Sequence, residues 1–516
     1  MSFLNKPLWD NDQNRFILRS PKIFFDFDKW EKILLVIGIV LLVVRFIYYP
    51  PVFHDEAIRM LKIQQHSFWD LIRLPRLDTV HDGRGFLALV KIFSLYFPTH
   101  ELSFRLPIFL CSLMGIFLFF RLSRRFLAPT GQMVARGLYI TCPFLIQYSS
   151  EMRPYASDVL LSILGLFMFL HLAASDLKSL KDRLGYVLIG GLAVSISLPA
   201  VLTLSAGVLA LFGPMLICRQ TEKIKRFLFV IVFWCGIWLL YYFFYIRYFM
   251  QWDGLVDEWD QYLFPHRSHL DWIIFWSLRQ LTGMFSNPVG VLPWVGLPLW
   301  LLGISSLYRE ERFKLFLLIL PFGMTLIAVF MRRYPFQGRV LAFLLPMHLI
   351  LIGRGYQFFC ETIQKAQRYR WPAILLGCLL FYAPINGTIR QFELSHFNSG
   401  VSSVLDRIKA NWQKGDGIYI LWDYRHEFRF LNQRYQIDFP NYVQGKCGEC
   451  GVYFKKEMSS LLKYRRIWFL LGGMHDRWNK RILFFANHQG RLVRTHRTQW
   501  YHLYLYEWDL SDELPD

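Results

Sequence analysis

Tyr48-Tyr49-Pro50-Pro51-Val52-Phe53-His54-Asp55-Glu56-Ala57 sits directly after an apolar run that opens at Ile33. Pro50 and Pro51 cannot continue a helix, so they end the run and turn the chain. Two adjacent carboxylates, Asp55 and Glu56, therefore lie at the mouth of an expected membrane span. Ionisable groups there are costly unless they serve a purpose. The plainer account is that they form the first turn of an interfacial helix and favour its positive end.

Outward from this point, the composition decides the class. Of 516 residues, 54% are hydrophobic and 18% aromatic, and only 19% are charged, below the roughly 25% usual for soluble domains. Apolar stretches long enough to cross about 30 Å of hydrocarbon recur. The expected fold is a mainly α, polytopic membrane domain over residues 1–390, followed by a small α/β domain at 391–516. Eleven spans are expected, near Ile33–Tyr48, Phe104–Phe120, Val134–Tyr148, Ser157–Ala174, Leu184–Leu198, Ala200–Cys218, Phe227–Phe249, Val291–Leu307, Phe313–Met331, Val340–Ile352 and Pro372–Ile385.

Lys and Arg number 58 against 38 Asp and Glu, a net charge of +20. The surplus collects in short loops such as Arg121-Leu122-Ser123-Arg124-Arg125, Arg219 to Arg226 and Arg354 to Arg370. The positive-inside rule makes these cytoplasmic, along with the N-terminus. Asp55, Glu56 and the C-terminal domain then face outward. A basic balance also suits lipid phosphate. No helix-turn-helix, zinc-finger or RNP-like signature accompanies it, so nucleic acid is set aside.

Two long outer segments follow from this topology, about 49–103 and 250–290. Phe86 to Tyr96 carries Lys91 and is too short to span, so it reads as an interfacial or re-entrant helix. No cleavable signal pattern is visible, because Asp10, Asp12, Asp26 and Asp28 precede the first apolar run; that run reads as an uncleaved signal anchor. Beyond Phe392, Ile418 to Trp422, Arg466 to Gly473 and Trp500 to Trp508 read as strands. Most of the eight cysteines sit in apolar runs as small hydrophobes. Only Cys447 and Cys450 form a pair, for which a disulfide comes first and reduced thiols, a redox pair or half a zinc site remain open.

Three polar clusters interrupt apolar sequence, all on the expected outer side: His54-Asp55-Glu56 with Arg59, Tyr148 to Asp158, and Arg332 to Arg339. Carboxylates with several arginines suit a reaction in which an acceptor loses a proton and a phosphate leaves. Each cluster also has a bland account: arginines snorkelling at a helix end, a local ion pair between Glu151 and Arg153, a plain turn at Gln337-Gly338-Arg339.

On His54-Asp55-Glu56-Ala57, Glu101-Leu102-Ser103-Phe104-Arg105-Leu106-Pro107, Glu151-Met152-Arg153-Pro154-Tyr155 and Tyr334-Pro335-Phe336-Gln337-Gly338-Arg339, the chain resembles membrane glycosyltransferases of the GT-C fold. The likeness is to the bacterial family related to protein O-mannosyltransferases and 4-amino-arabinose lipid A transferases. About the first two hundred residues carry it most closely. The resemblance implies inverting transfer of a sugar from a polyprenyl-phosphate donor to a protein, lipid A or glycan acceptor, at the outer face of a bacterial inner membrane. It implies Asp55 as the base, with Glu56 as the second catalytic residue beside it. Arg59, Arg153 and Arg339 are the candidates for the donor phosphate, with Arg84 as a further contact. Glu56, Glu151, Tyr155, Asp158, Tyr334 and Gln337 shape the site.

Val80-His81-Asp82-Gly83-Arg84 stands where many relatives carry a proline-rich segment, which leaves donor and acceptor identity open. The expected donor is a lipid monophosphate rather than a nucleotide diphosphate, so a metal is less necessary to neutralise the leaving group. A divalent ion remains possible near His54, His81, His266 and His269, each of which also reads as an interfacial polar residue. A flippase of lipid-linked sugars is the rival reading, but it calls for charges buried midway along spans and repeated halves. The clusters here sit at span ends, and no repeat is visible. A second rival is a catalytically idle relative that binds a partner through its C-terminal domain.

Overall fold

The computed structural model describes residues 27–48, 51–74, 82–96, 101–249, 259–265, 269–365, 371–393, 401–435, 442–445, 451–472, 476–497 and 501–508. Helices dominate. In chain order the first are α1 (Phe27–Ile47), α2 (His54–Gln65), α3 (Phe68–Arg73), α4 (Arg84–Ser94) and α5 (Glu101–Phe126). They are followed by α6 (Pro129–Ile140), α7 (Pro143–Gln147), α8 (Tyr155–Ala174), α9 (Leu180–Ile196), α10 (Ala200–Ile217) and α11 (Thr221–Tyr241).

Seven helices among the described residues are long and apolar enough to cross a membrane: Glu101–Phe126, Tyr155–Ala174, Ala200–Ile217, Thr221–Ile246, Arg312–Phe330, Gly338–Gln364 and Trp371–Arg390. A bent pair, Leu270–Val289 with Pro293–Glu310, adds an eighth if it counts as one span. The chain is a multi-pass membrane protein. The remaining expected spans are helical but differ in ways the residues explain. α1 carries Glu31, Lys32 and Arg45 at the ends of its apolar stretch. The run from Val134 breaks at Thr141 and Cys142 into α6 and α7, because Pro143 has no N–H to donate. α9 is 17 residues long, one turn short of a comfortable crossing.

The chain divides into two compact units. The first takes residues 1–43, 111–146 and 154–388. Its most extensive helix pairing joins Pro293–Glu310 to Leu345–Lys365. A Cβ on Gly355 would meet the Leu299 carbonyl oxygen at 1.7 Å, so only glycine allows the two backbones to approach this closely. At one end of this unit, buried Arg136 donates to Glu31, Ser123 Oγ and the Phe120 carbonyl. At another, Arg354 pairs with Glu310 and Ser306.

The second unit takes residues 44–110, 147–153 and 389–516. It contains a five-stranded mixed sheet of β1 (Gly417–Ile420), β2 (Tyr442–Gln444), β3 (Arg466–Gly472), β4 (Gly490–Arg497) and β5 (Tyr501–Trp508), ordered β2-β1-β3-β5-β4. β1 is parallel to β2 and β3, and β5 is antiparallel to β3 and β4. The chain enters β1 through Gly415 at φ +96°, a left-handed turn that glycine adopts without strain. β1 and nearly all of β3 are buried, which explains their unbroken apolar sequence. The residue pattern alone locates β1, β3 and β5. It misses β2, which has three residues, and β4, an exposed edge rich in Arg491, Arg494 and Arg497.

The same unit holds α2, α3 and α4. α4 covers most of the stretch expected to form an interfacial helix; Phe86, Leu87 and Val90 are buried while Ile92, Leu95 and Tyr96, the last two just past it, stay exposed. Lys91 Nζ donates to the Ile63 carbonyl at 2.7 Å and ties α4 to α2. The helix Arg425–Tyr435 packs against α2. His81, His266, Cys447 and Cys450 lie outside the described residues.

Candidate active site

The two acids at the start of α2 have opposite surroundings. Phe53, the residue before the helix, has no side chain that can cap it. The N–H groups of the first turn are therefore not satisfied by the residue before it. Glu56 turns inward with no exposed side-chain surface. Its Oε1 accepts from the Met152 amide at 2.5 Å and from Arg105 Nε at 3.2 Å. Its Oε2 accepts from Arg105 at 2.7 Å and reaches back to the Phe53 amide at 3.5 Å. One carboxylate thus joins α2, α5 and the 147–153 loop.

Asp55 turns outward. Its side chain keeps 44% of its exposure, and Oδ2 lies 3.1 Å from Arg153. Arg153 is held in turn by Glu151 at 3.5 Å, and the Arg153 amide donates to the Glu151 carbonyl at 2.8 Å. The arrangement leaves a carboxylate facing solvent with a guanidinium beside it. Such a pair can accept a proton and hold an anion.

Beneath them is a buried network in which Arg45, Arg105 and Arg153 face Glu56, Glu101 and Glu151. Arg45 also donates to the Gln391 carbonyl at 2.7 Å. Burial raises the Glu151 carboxyl above the usual carboxylate range, and nearby Glu56 pushes the same way, against the pull of Arg153. Gln147 Nε2 donates to it at 3.0 Å.

A carboxyl raised by folding adds stability at and below its ordinary pKa, and that contribution is lost as pH climbs through the raised value. Glu151→Gln is therefore expected to keep or raise the apparent melting temperature at pH 8. The unaltered chain is expected to lose more stability than the variant between pH 5 and pH 8. A variant that melts several degrees lower at both pH values would show instead that an ionised Glu151 is needed.

Arg59, expected at the donor phosphate, is engaged by its own chain. Its Nε lies 2.5 Å from Asp82 Oδ2 and its NH1 donates to the Asp55 carbonyl at 2.8 Å. Burial pulls its pKa down, yet the Asp82 carboxylate holds the guanidinium above its ordinary value. A phosphate at Arg59 has to compete with Asp82. Arg84, the other outer-loop candidate, is buried at the start of α4.

These six candidates, Asp55, Glu56, Arg59, Arg84, Glu151 and Arg153, fall in the second unit. Tyr155, Asp158, Tyr334, Gln337 and Arg339 fall in the first. There α8 packs on the turn Gly338–Leu344. The Tyr334 hydroxyl donates to the Val340 carbonyl at 2.6 Å. Burial, then Asp158 and Tyr155, push that hydroxyl well above its usual pKa. Asp158 is buried in the first turn of α8, Tyr155 meets the Phe144 ring at 5.9 Å, and half-buried Arg339 lies over the Trp259 ring at 5.2 Å.

Arg45, Asp82, Glu101 and Arg105 are not among the site residues expected from sequence. The signal is present in Arg45, a lone charge ending an apolar run, and in Glu101 and Arg105, spaced i, i+4 at the mouth of another. Among the described residues, no three His, Cys, Asp or Glu side chains are grouped to hold a metal ion. His54 instead lies 3.4 Å from Glu427.

No protein-family model and no curated protein sequence matches the chain. Solved structures do. ArnT from Cupriavidus metallidurans in the apo state is 10% identical with a TM-score of 0.53, over 93% of this chain and 98% of that one. The same protein bound to undecaprenyl phosphate is 13% identical with a TM-score of 0.53, over 92% and 98%. The archaeal oligosaccharyltransferase AglB from Archaeoglobus fulgidus, in complex with an inhibitory peptide and a dolichol-phosphate, is 12% identical with a TM-score of 0.49, over 95% and 75%. The full-length match to ArnT shows that the chain has a GT-C fold with a small C-terminal sheet domain.

Proposed function

We propose that the protein transfers a sugar from a polyprenyl-phosphate donor to an acceptor hydroxyl or amine, with inversion, at the outer face of a bacterial inner membrane. The observation that supports this best is the division of labour between two adjacent acids. Glu56 is consumed by the fold, while Asp55 is exposed beside Arg153. A GT-C fold whose solved counterpart was captured with undecaprenyl phosphate is in keeping with such a donor. In this reading Asp55 accepts the acceptor's proton as the acceptor atom bonds to the anomeric carbon. The bond from that carbon to the phosphate oxygen breaks, and polyprenyl phosphate departs with both electrons. Arg153 holds Asp55 and the developing phosphate charge, with Arg84 as a further phosphate contact. The basic short loops favour a cytoplasmic N-terminus, which places Asp55 and the domain at 391–516 outside.

Release of free polyprenyl phosphate is the product common to every sugar and acceptor. The test supplies the full chain in membranes with a pool of polyprenyl-phosphate sugars and a membrane extract as acceptor. Acceptor-dependent release is the expected result. Lipid binding without release, or movement of the intact lipid-linked sugar across the bilayer, would favour the flippase reading.

A further inference from the structure

We propose that Glu427, acting through His54, is a positioning residue for Asp55, so that the C-terminal domain holds the catalytic turn in place. The proposal rests on the reading of Asp55 as the base. Phe53 gives the first turn of α2 no side-chain cap, so side chains from elsewhere in the fold matter for where that turn sits. Two tertiary contacts hold that turn. On the inner side Glu56 is bound by Arg105 and the Met152 amide. On the other side is the helix Arg425–Tyr435.

Glu427 Oε2 lies 3.4 Å from His54 Nδ1, and only 1% of the Glu427 side chain is exposed. The His426 ring meets the His54 ring edge-on at 5.3 Å. One turn on, Phe430 stacks edge-on against Phe104 of α5 at 6.1 Å. The helix therefore touches α2 and α5, two of the three segments that Glu56 joins. Burial, followed by Arg425, His54, Arg429 and Lys62, lowers the His426 imidazole to about 4. At neutral pH His426 is uncharged and does not compete for the Glu427 carboxylate.

A buried carboxylate fixed in the C-terminal domain and directed at the residue preceding the base sets where the Asp55 backbone sits. A displacement of about 1 Å at such a group can cost on the order of 10²-fold in rate. The effect belongs in turnover rather than in donor binding, because neither Glu427 nor His54 touches the reacting atoms in this reading.

The test measures polyprenyl-phosphate release by the full chain and by Glu427→Gln, Glu427→Ala, His54→Asn, His54→Lys and the His54→Asn/Glu427→Gln pair, with Asp55→Asn as reference. The expected result is a fall in kcat of roughly 10- to 100-fold for Glu427→Ala and His54→Asn, with donor KM little changed. The double variant is expected to be no worse than the poorer single, as for two ends of one contact. His54→Lys, which puts an ammonium opposite Glu427, is expected to retain more activity than His54→Asn. Because His54 is 39% exposed, its variants test the contact even if Glu427→Ala fails to fold. Full turnover in folded His54→Asn, additive losses in the double variant, or equal losses in His54→Lys and His54→Asn would each overturn the proposal while leaving the function intact. Full release by Asp55→Asn would overturn both.

Discussion

Asp55→Asn is expected to lower sugar transfer by a factor of about 10² to 10⁴, the range a positioned general base supplies, with no loss of folded protein. Both halves of that expectation come from the surroundings of one side chain. The Asp55 carboxylate is 44% exposed and touches Arg153 at 3.1 Å. A partly exposed pair of this kind contributes only about 0.2–1 kcal/mol to stability, and the amide oxygen of asparagine can still accept from Arg153. The shape and the hydrogen bond survive; the ability to take a proton does not. The comparison is Glu56→Gln one residue away, where yield and melting temperature are expected to fall. Equal expression with transfer abolished in Asp55→Asn supports the base assignment. Transfer at the unaltered rate would move the chemistry to another group, and equal instability in both variants would mean that the two acids share a structural role.

That contrast marks how far the residues alone can be read. Long apolar runs report membrane spans because hydrocarbon thickness fixes a minimum length, and seven of the expected runs meet it as helices. Buried strands such as Ile418-Tyr419-Ile420 and Trp468-Phe469-Leu470 are legible for a related reason, since burial on both faces leaves no polar alternation. β4 is not legible, because an exposed edge strand carrying Arg491, Arg494 and Arg497 has the composition of a loop.

Within the site, the positions of Asp55 and Glu56 after the first span point to chemistry but cannot divide their roles. What separates them is Arg105, 49 residues later, and the Met152 amide, 96 residues later. Arg59 illustrates the same limit. From sequence it is a cation one turn beyond an acid pair, and only the fold brings Asp82 against it. His54 reads as an interfacial histidine until the C-terminal domain places Glu427 beside it. Local periodicity is written in neighbouring residues, whereas the state of a charge is set by partners that only tertiary structure supplies.

The second large effect concerns Arg105 and Glu56, both with 0% side-chain exposure. Removing one member of a buried ion pair leaves an uncompensated charge and typically costs about 3–5 kcal/mol. Arg105→Met is expected to be near the upper end, since Glu56, Glu101 and Glu151 all face that guanidinium. Glu56→Leu additionally deprives the Met152 amide of its acceptor. Either single variant should therefore give little folded protein, or an apparent melting temperature lowered by many degrees.

The informative variant combines Glu56→Leu with Arg105→Met. Replacing a buried pair with apolar groups of similar volume is often neutral or even stabilising by about 1–4 kcal/mol, so the double variant is expected to recover part of the stability that each single change loses. It should not recover activity. Without Glu56, the 147–153 loop loses its buried tie to α2, and Arg153 on that loop loses its fixed place beside Asp55. A restored melting temperature with transfer still depressed would show that the buried pair sets geometry for the acid beside it. Restored transfer would show that the loop needs no such anchor, and a double variant as unstable as the singles would mean that the amide of Met152, rather than the charge pair, is what Glu56 chiefly serves.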